Sequence, residues 1–465
     1  MPAFRTEKDS IGVKDIPSGA YYGINALRGQ ENFPISGLTA HPRFIDAFML
    51  IKKAAAQANK ELGLIKSEQA DAIIQACEDV LGGKFRDQFI VDVFQMGAGT
   101  ALHMNVNEVL ANRAIELMGF QKGDYAKVNP NDHVNFGQST NDVFPTAIRV
   151  ATRLFLKDFI PVVQNLAATF TEKGKEFDDV IKSARTHLQD AVPIRLGQEF
   201  AAYGLAVKRC AERIAQAAKE IEELGIGGSA AGTGLNTHPS YAKRVVDLIN
   251  KETGLAFRAA EDKREAMQSQ RPVAEVSSAI KNLALEMTRI SNDLRLLSSG
   301  PTTGFAEIFL PGLAAGSSIM PGKVNPSMPE MLNMVCFQVM GNDLAISLAV
   351  QAGQLELNVM MPLMAFDLMF SIEIFKNALT VFNDLCAKGI SADKDRCRRY
   401  AEMSMSLATA LNPIIGYEKA AEIVKEALKT GKTIVETIKE KNILSPKQCE
   451  EVLNLKSLTE PGVHK

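Results

Sequence analysis

Apolar residues recur three and four positions apart along most of this chain, the spacing of one face of an α-helix. The pattern predicts helices over residues 44–62 and 68–81, with charged positions between the apolar ones. Another is predicted over 107–118, closed by Gly119 as a C-cap. Strand-like alternation is scarce, and only residues 10–40 leave room for a short hairpin. Five longer periodic stretches follow, at about 142–177, 196–224, 273–297, 329–352 and 363–388. Several exceed the roughly 11–12 residues of an average globular helix. Ala, Gly, Leu and Met occupy more than one of their faces, and a helix that is apolar most of the way round must be covered on several sides. The five therefore predict a long helical bundle whose surplus apolar faces pack against other bundles in an oligomer. Beyond residue 389 the helices become shorter and more charged, over 393–407, 417–428 and 432–441. The expected fold is mainly all-α, in three consecutive segments: 1–140, 141–390 and 391–465.

Composition narrows the partners. The chain has 465 residues, enough for more than one core, and its 52 basic and 54 acidic residues are interspersed. Without a basic block or a charged tail, neither nucleic acid nor a membrane surface is an expected partner. Small molecules and other protein chains remain. The six cysteines stand singly, with no CxxC, so reduced thiols are expected rather than a disulfide framework or a zinc site. The N-terminus is charged and lacks the apolar core of a signal peptide. The greasiest stretch, 357–375, is interrupted by Asn358, Asp367 and Glu373. A soluble, cytoplasmic protein is the expectation.

Four polar, glycine-rich segments break the helical pattern: Gly97-Ala98-Gly99-Thr100, Gln138-Ser139-Thr140-Asn141-Asp142, Arg185-Thr186-His187-Leu188-Gln189-Asp190, and the run from Gly316 to Pro326. Each has an ordinary reading. Ser-Thr-Asn-Asp before a helix is usually an N-cap, a Gly-Ser-Ser run is usually a loop, a lone His such as His187 is more often a core residue than a catalyst, and Lys323 is by default a surface charge. Together they offer small hydroxyl and amide side chains, two charge carriers, glycines that admit close backbone approach, and helix N-termini after Asn141 and Pro326. That inventory suits a carboxylate, and there is no GxxxxGK[ST] nucleotide loop.

Gly316-Ser317-Ser318-Ile319-Met320-Pro321-Gly322-Lys323-Val324-Asn325 resembles the signature of the aspartase/fumarase superfamily at all its fixed positions. The similarity extends through the second and third polar segments and the stretch from Asn292 to Pro301, covering essentially the whole chain. The resemblance implies a three-domain helical subunit whose central five-helix bundle assembles into a homotetramer, each active site being shared by three subunits. It also implies a reaction that removes a proton from Cβ of a succinate-like acid while a group leaves Cα. The carbanion is stored as an aci-carboxylate dianion, which preorganised donors must stabilise more than they stabilise the substrate.

By the same resemblance Ser317 is the general base, acting as an alkoxide on a mobile loop beside Lys323. Thr100, Ser139, Thr140 and Ser318 surround the carboxylate that becomes the dianion; Thr186, Lys323 and Asn325 hold the other one. Asn141 and His187 face the leaving group, with Glu330 to orient His187. No organic cofactor is implied and no metal is required; some aspartases are activated by Mg2+, but no residue cluster here locates such a site. Ala98, Asn129-Pro130-Asn131-Asp132-His133 and Thr140 resemble aspartases rather than fumarases, which favours deamination of L-aspartate. Ala101, Leu102, His103 and Met361 depart from the aspartase pattern. The alternatives are therefore a fumarate hydratase, a lyase for another fumarate adduct such as a modified aspartate, and, remotely, a catalytically silent structural homologue.

Overall fold

The structure, a computed structural model, describes residues 4–463. A hairpin of β1 (Phe4–Lys8) and β2 (Val13–Pro17) leads into α1 (Ile24–Asn32), α2 (Pro42–Glu61), α3 (Ser67–Leu81) and α4 (Thr100–Leu117). Then come α5 (Thr140–Glu176), the antiparallel pair β3 (Ile181–Thr186) and β4 (Gln189–Arg195), and α6 (Leu196–Glu220). After α7 (Tyr241–Thr253) and α8 (Lys263–Gln268) the long helices resume as α9 (Arg271–Leu297), α10 (Ser327–Gln351) and α11 (Met361–Leu385). Short helices, the longest being Tyr417–Thr430, complete the chain. The fold is mainly helical, as the periodicity predicts, and the five long helices begin within about two residues of their expected starts.

The differences are local and each has a cause. The predicted 196–224 helix stops at Glu220, because Glu223–Leu224 leaves it to pair in parallel with Arg258–Ala259. The 393–407 helix ends at Met403, where the Ser404 hydroxyl accepts the amide of Ser406 and starts a separate turn. The N-terminal hairpin lies earlier than 10–40, and part of that span is α1. The β3–β4 hairpin and α7 have no counterpart in the predicted pattern.

The chain forms two compact units that are interleaved in sequence. The first takes the described residues up to Ile160 with Glu212–Asn282 and Phe337–Phe375; the second takes Pro161–Ala211, Leu283–Cys336 and the residues from Lys376 on. Each long helix gives one stretch to each unit. This grouping partitions the chain differently from the consecutive segments 1–140, 141–390 and 391–465, and neither requires nor excludes them. In the first unit, α2 packs on α3 and α7, and the rings of Phe44, Phe48 and Phe144 meet edge to face. In the second, Phe170 sits among Phe200, Tyr203 and Phe382, and Leu407, Ile423, Ile434 and Ile438 form a further core near the C-terminus.

Among the described residues one helix, α10, is long and apolar enough to cross a membrane by length and composition, and 39% of its most apolar window is buried within the chain. Along it Met334, Phe337, Leu344 and Leu348 are 65, 56, 62 and 54% exposed. Their spacing of three, seven and four residues places them on one face. This is the surplus apolar surface that the sequence pattern predicts.

Helix α1 starts at Gly23, which has no side chain to cap the free amides of its first turn. Glu108, buried on α4, supplies that cap: its carboxylate accepts from the amides of Gly23 (2.9 Å), Asn25 (2.7 Å) and Ala26 (3.1 Å), and from the Asn25 side chain (2.9 Å). Burial outweighs these bonds and pushes the carboxyl up to about 7. An unfolded Glu titrates near 4.3, so between the two values the native chain binds more protons and loses stability as pH rises. Denaturant unfolding at several pH values across this window should show that decline in the parent protein. It should be flatter in Glu108→Gln, which is also less stable throughout because its amide N–H groups face other donors.

Candidate active site

Two of the four polar segments meet in the first unit. At the head of α5 the chain builds a cap: Ser139 Oγ accepts from the Asn141 amide (3.2 Å), and the Asp142 carboxylate accepts from the Ser139 amide (2.9 Å). The other Asp142 oxygen accepts from the amides of Gly227 (2.9 Å) and Ser229 (3.0 Å), so a distant loop is bound to this helix end. The Asn141 amide group donates to the Ala230 carbonyl (2.9 Å) and extends the same attachment. Asp142 is fully buried, and burial drives its carboxyl up to about 6 despite the three backbone donors.

The Gly97–Thr100 segment lies against this cap. Ala98 and Gly99 both have left-handed φ values, 62° and 83°, and α4 begins at Thr100. A Cβ on Gly99 would overlap the Phe144 ring one turn into α5, so only glycine admits this approach. One turn into α4, His103 Nδ1 lies 2.8 Å from Thr140 Oγ1. Beneath both is Lys52, fully buried, whose ammonium donates to the side-chain oxygens of Asn135 and Gln138, each at 2.9 Å. Burial lowers that ammonium to about 7, while Asp142 opposes the fall.

The other two segments lie in the second unit. Thr186 pairs with Gln189, so His187 and Leu188 are the two turn residues of the β3–β4 hairpin. Their φ values of 56° and 58° are the left-handed pair of a type I′ turn, a conformation that favours Asn and Gly. Non-glycine residues there cost about 1–2 kcal/mol each, and the turn presents the imidazole to solvent. The strand behind it is held by a buried charge cluster. The fully buried Glu307 accepts from Arg185 (2.8 Å) and lies 3.1 Å from Lys182, which also donates to both oxygens of Glu199 at 3.1 Å.

The Gly316–Asn325 loop closes on itself. The Gly316 amide donates to the Lys323 carbonyl (2.8 Å), and the Asn325 side-chain amide donates to the Gly316 carbonyl (2.5 Å). A side chain on Gly316 would overlap the Lys323 carbonyl. Inside the loop Ser317 Oγ accepts two backbone amides, from Ile319 (3.2 Å) and Met320 (2.9 Å). Lys323 and Ser318 are exposed, and Ser317 is half-buried. Glu330, in the first turn of α10, makes no hydrogen bond to His187 among the described residues. Thus Thr100, Ser139, Thr140 and Asn141 cluster in the first unit. Ser317, Ser318, Lys323 and Asn325 share one loop of the second, and Thr186 and His187 form its hairpin.

Of the three anchoring residues, Asp142, Lys52 and Glu307, the sequence pattern picked out only Asp142, as the end of the second polar segment. Asp142 was readable, because a carboxylate three residues after Ser139 is a capping-box spacing. Lys52 and Glu307 carry no such signal, since a lone charge in an apolar run says nothing about its partners. An apolar cavity of about 380 Å3 in the first unit is lined by Phe44, Phe89, Leu102, Phe144, Phe366 and Phe370 among others. It backs onto the Gly99 segment but offers little charge for a dicarboxylate.

Comparison with known proteins agrees with this architecture. The family model described as Lyase matches residues 12–341, and that described as Fumarase C C-terminus matches 407–460. An aspartate ammonia-lyase from a Bacillus species is 48% identical, with 99% of this chain and 98% of the relative aligned. A class II fumarate hydratase from Halobacterium salinarum is 47% identical over 99% and 98%. The crystal structure of fumarate lyase:delta crystallin from Brucella melitensis bound to cobalt superposes with a TM-score of 0.95 at 43% identity, covering 99% of this chain and all of that one.

Replacing Gly99 tests the meeting of the first two segments. Gly99→Ala combines a disfavoured φ with an overlap on Phe144, so a loss of about 2–5 kcal/mol is expected from strain and overpacking. Chemical denaturation should register it, whereas Gly119→Ala, also at positive φ but with nothing nearby, should lose only the strain.

Proposed function

Because this chain belongs to the aspartase/fumarase superfamily, we propose that it is a cytoplasmic carbon–nitrogen lyase that deaminates L-aspartate reversibly to fumarate and ammonia. The names of relatives aligned end to end support the reaction class, and the aspartase-like residues Ala98, Asn129 and Thr140 support ammonia as the leaving group.

The observation that carries the reading is the hydrogen bonding of Ser317. An unassisted serine is a poor base. Here its oxygen accepts two backbone amides, an arrangement that favours the deprotonated form as an oxyanion hole does. In this reading the Ser317 alkoxide takes the Cβ proton, and electron density moves into the neighbouring carboxylate. Thr100, Ser139, Thr140 and Ser318 stabilise the resulting dianion, Lys323, Asn325 and Thr186 hold the second carboxylate, and Asn141 and His187 attend the departing amine, with Glu330 orienting His187. Ser139 is suited to its role because its oxygen is already occupied by the Asn141 amide, which leaves its proton for a ligand. No organic cofactor takes part and no metal is required; activation by Mg2+ is a separate question for the assay.

The same reading makes the enzyme a homotetramer with each site drawn from three subunits. The exposed stripe of Met334, Phe337, Leu344 and Leu348 on α10 supports this, since apolar surface of that kind is normally covered. A second reading, hydration of fumarate, is favoured by Met361, which stands where aspartases carry Glu and resembles fumarases, and by the near-equal identity to a fumarate hydratase. The departures at Ala101, Leu102 and His103 fit a changed substrate such as a modified aspartate. Met361 is completely buried at the start of α11.

Incubation with L-aspartate and, separately, L-malate distinguishes the two. Equal amounts of fumarate and ammonia from aspartate alone are expected; turnover of malate alone would replace the first reading by the second. Ser317→Ala should lower kcat by at least about 10³-fold, with the oligomer and thermal transition retained. Full activity in that variant would remove Ser317 from its role.

A further inference from the structure

His103 is placed so as to decide which way one hydroxyl in the proposed carboxylate site can donate. Its ring is 1% exposed and lies near that of Phe48, with centroids 6.0 Å apart and planes inclined by 22°. Nδ1 lies 2.8 Å from Thr140 Oγ1, while Nε2 is buried with no hydrogen-bond partner among the described residues. Thr140 is itself 9% exposed, and its hydroxyl makes no other hydrogen bond among the described residues.

We propose that His103 is the positioning residue for Thr140, donating from Nδ1–H to Oγ1 and thereby leaving the hydroxyl proton for a carboxylate oxygen of the substrate. This rests on the reading that Thr140 belongs to the carboxylate site.

The argument is one of counting protons. Burial, and secondarily the Lys52 charge, holds the His103 imidazole well below its ordinary value, so the ring is neutral and carries a single N–H. If that proton sat on Nε2, a buried donor would have no acceptor, and the Thr140 proton would be consumed by Nδ1. The threonine could then offer a carboxylate only lone pairs. If the proton sits on Nδ1, the unpartnered atom is a bare acceptor, which proteins tolerate more readily than an orphaned N–H. The Thr140 proton is then free, and no acceptor among the described residues takes it. Ser139 next to it has the same occupancy, its oxygen accepting from Asn141. The head of α5 therefore presents two adjacent hydroxyls, both oriented as donors, to whatever anion binds there.

The test is a double-variant cycle in the full-length protein, reading kcat/KM for L-aspartate and the dissociation constant of fumarate by calorimetry. Thr140→Val and His103→Phe should each lower kcat/KM by about 10- to 100-fold, the range for a hydrogen bond to a charged group. The double variant should be no worse than Thr140→Val alone, because His103 acts only through that hydroxyl. His103→Asn, which retains an N–H donor, should restore kcat/KM to within about threefold of the parent. Equal and additive losses would overturn the proposal, as would a His103→Phe protein with parental kcat/KM and fumarate affinity. If Thr140→Val itself retained parental values, the carboxylate reading of Thr140 would fail first. Should His103→Phe not fold, His103→Met carries the same test.

Discussion

A buried carboxylate is costly unless donors meet its oxygens, and at Asp142 that constraint shapes the head of α5. Its three acceptor contacts tie the amide of Ser139 to those of Gly227 and Ser229, residues more than eighty positions away. Without them the Ser-Thr-Asn run would be an ordinary helix start with a free loop beside it. With them, its hydroxyls stand at fixed positions on a rigid helix, and Gly99 can bring a second segment against Phe144. Glu307 does comparable work for the His187 hairpin, drawing Lys182 and Arg185 onto one strand. Buried acids are costly when alone; Asp142 is met by the amides of Ser139, Gly227 and Ser229, and Glu307 by the cations of Arg185 and Lys182.

The long helices were legible because their cores repeat. Leu, Ile, Val and Phe at three- and four-residue spacing located α5, α9, α10 and α11, and only an event outside the periodicity ended α6 early. The β3–β4 hairpin was not legible, since its turn uses His187 and Leu188 where a I′ turn normally advertises itself with Asn and Gly. The polar segments were visible as segments, and Gly316–Asn325 was visible as a family signature. What could not be read was which side chain touches which. The Ser317 contacts are made by backbone amides, which have no letter in a sequence, and Lys52 looks like any lysine until its burial is known.

The interleaving of the two units follows from the same helices. A bundle of long helices has no natural chain-order boundary, because each helix passes along its whole length and groups residues by depth instead of by number. That is why α5 gives its first turns to one unit and its last to the other.

The self-contained loop around Ser317 has an evolutionary consequence. Its closure uses Gly316, Lys323 and Asn325, and the two amides on Ser317 come from the next three residues, so the hydrogen bonding of that oxygen is set within ten positions of the chain. Asn141 and His187, proposed to attend the leaving group, lie on other segments and can drift without disturbing it. On the proposed roles, a lineage built this way can exchange ammonia for water, or one adduct of fumarate for another, while inheriting the Ser317 loop unchanged.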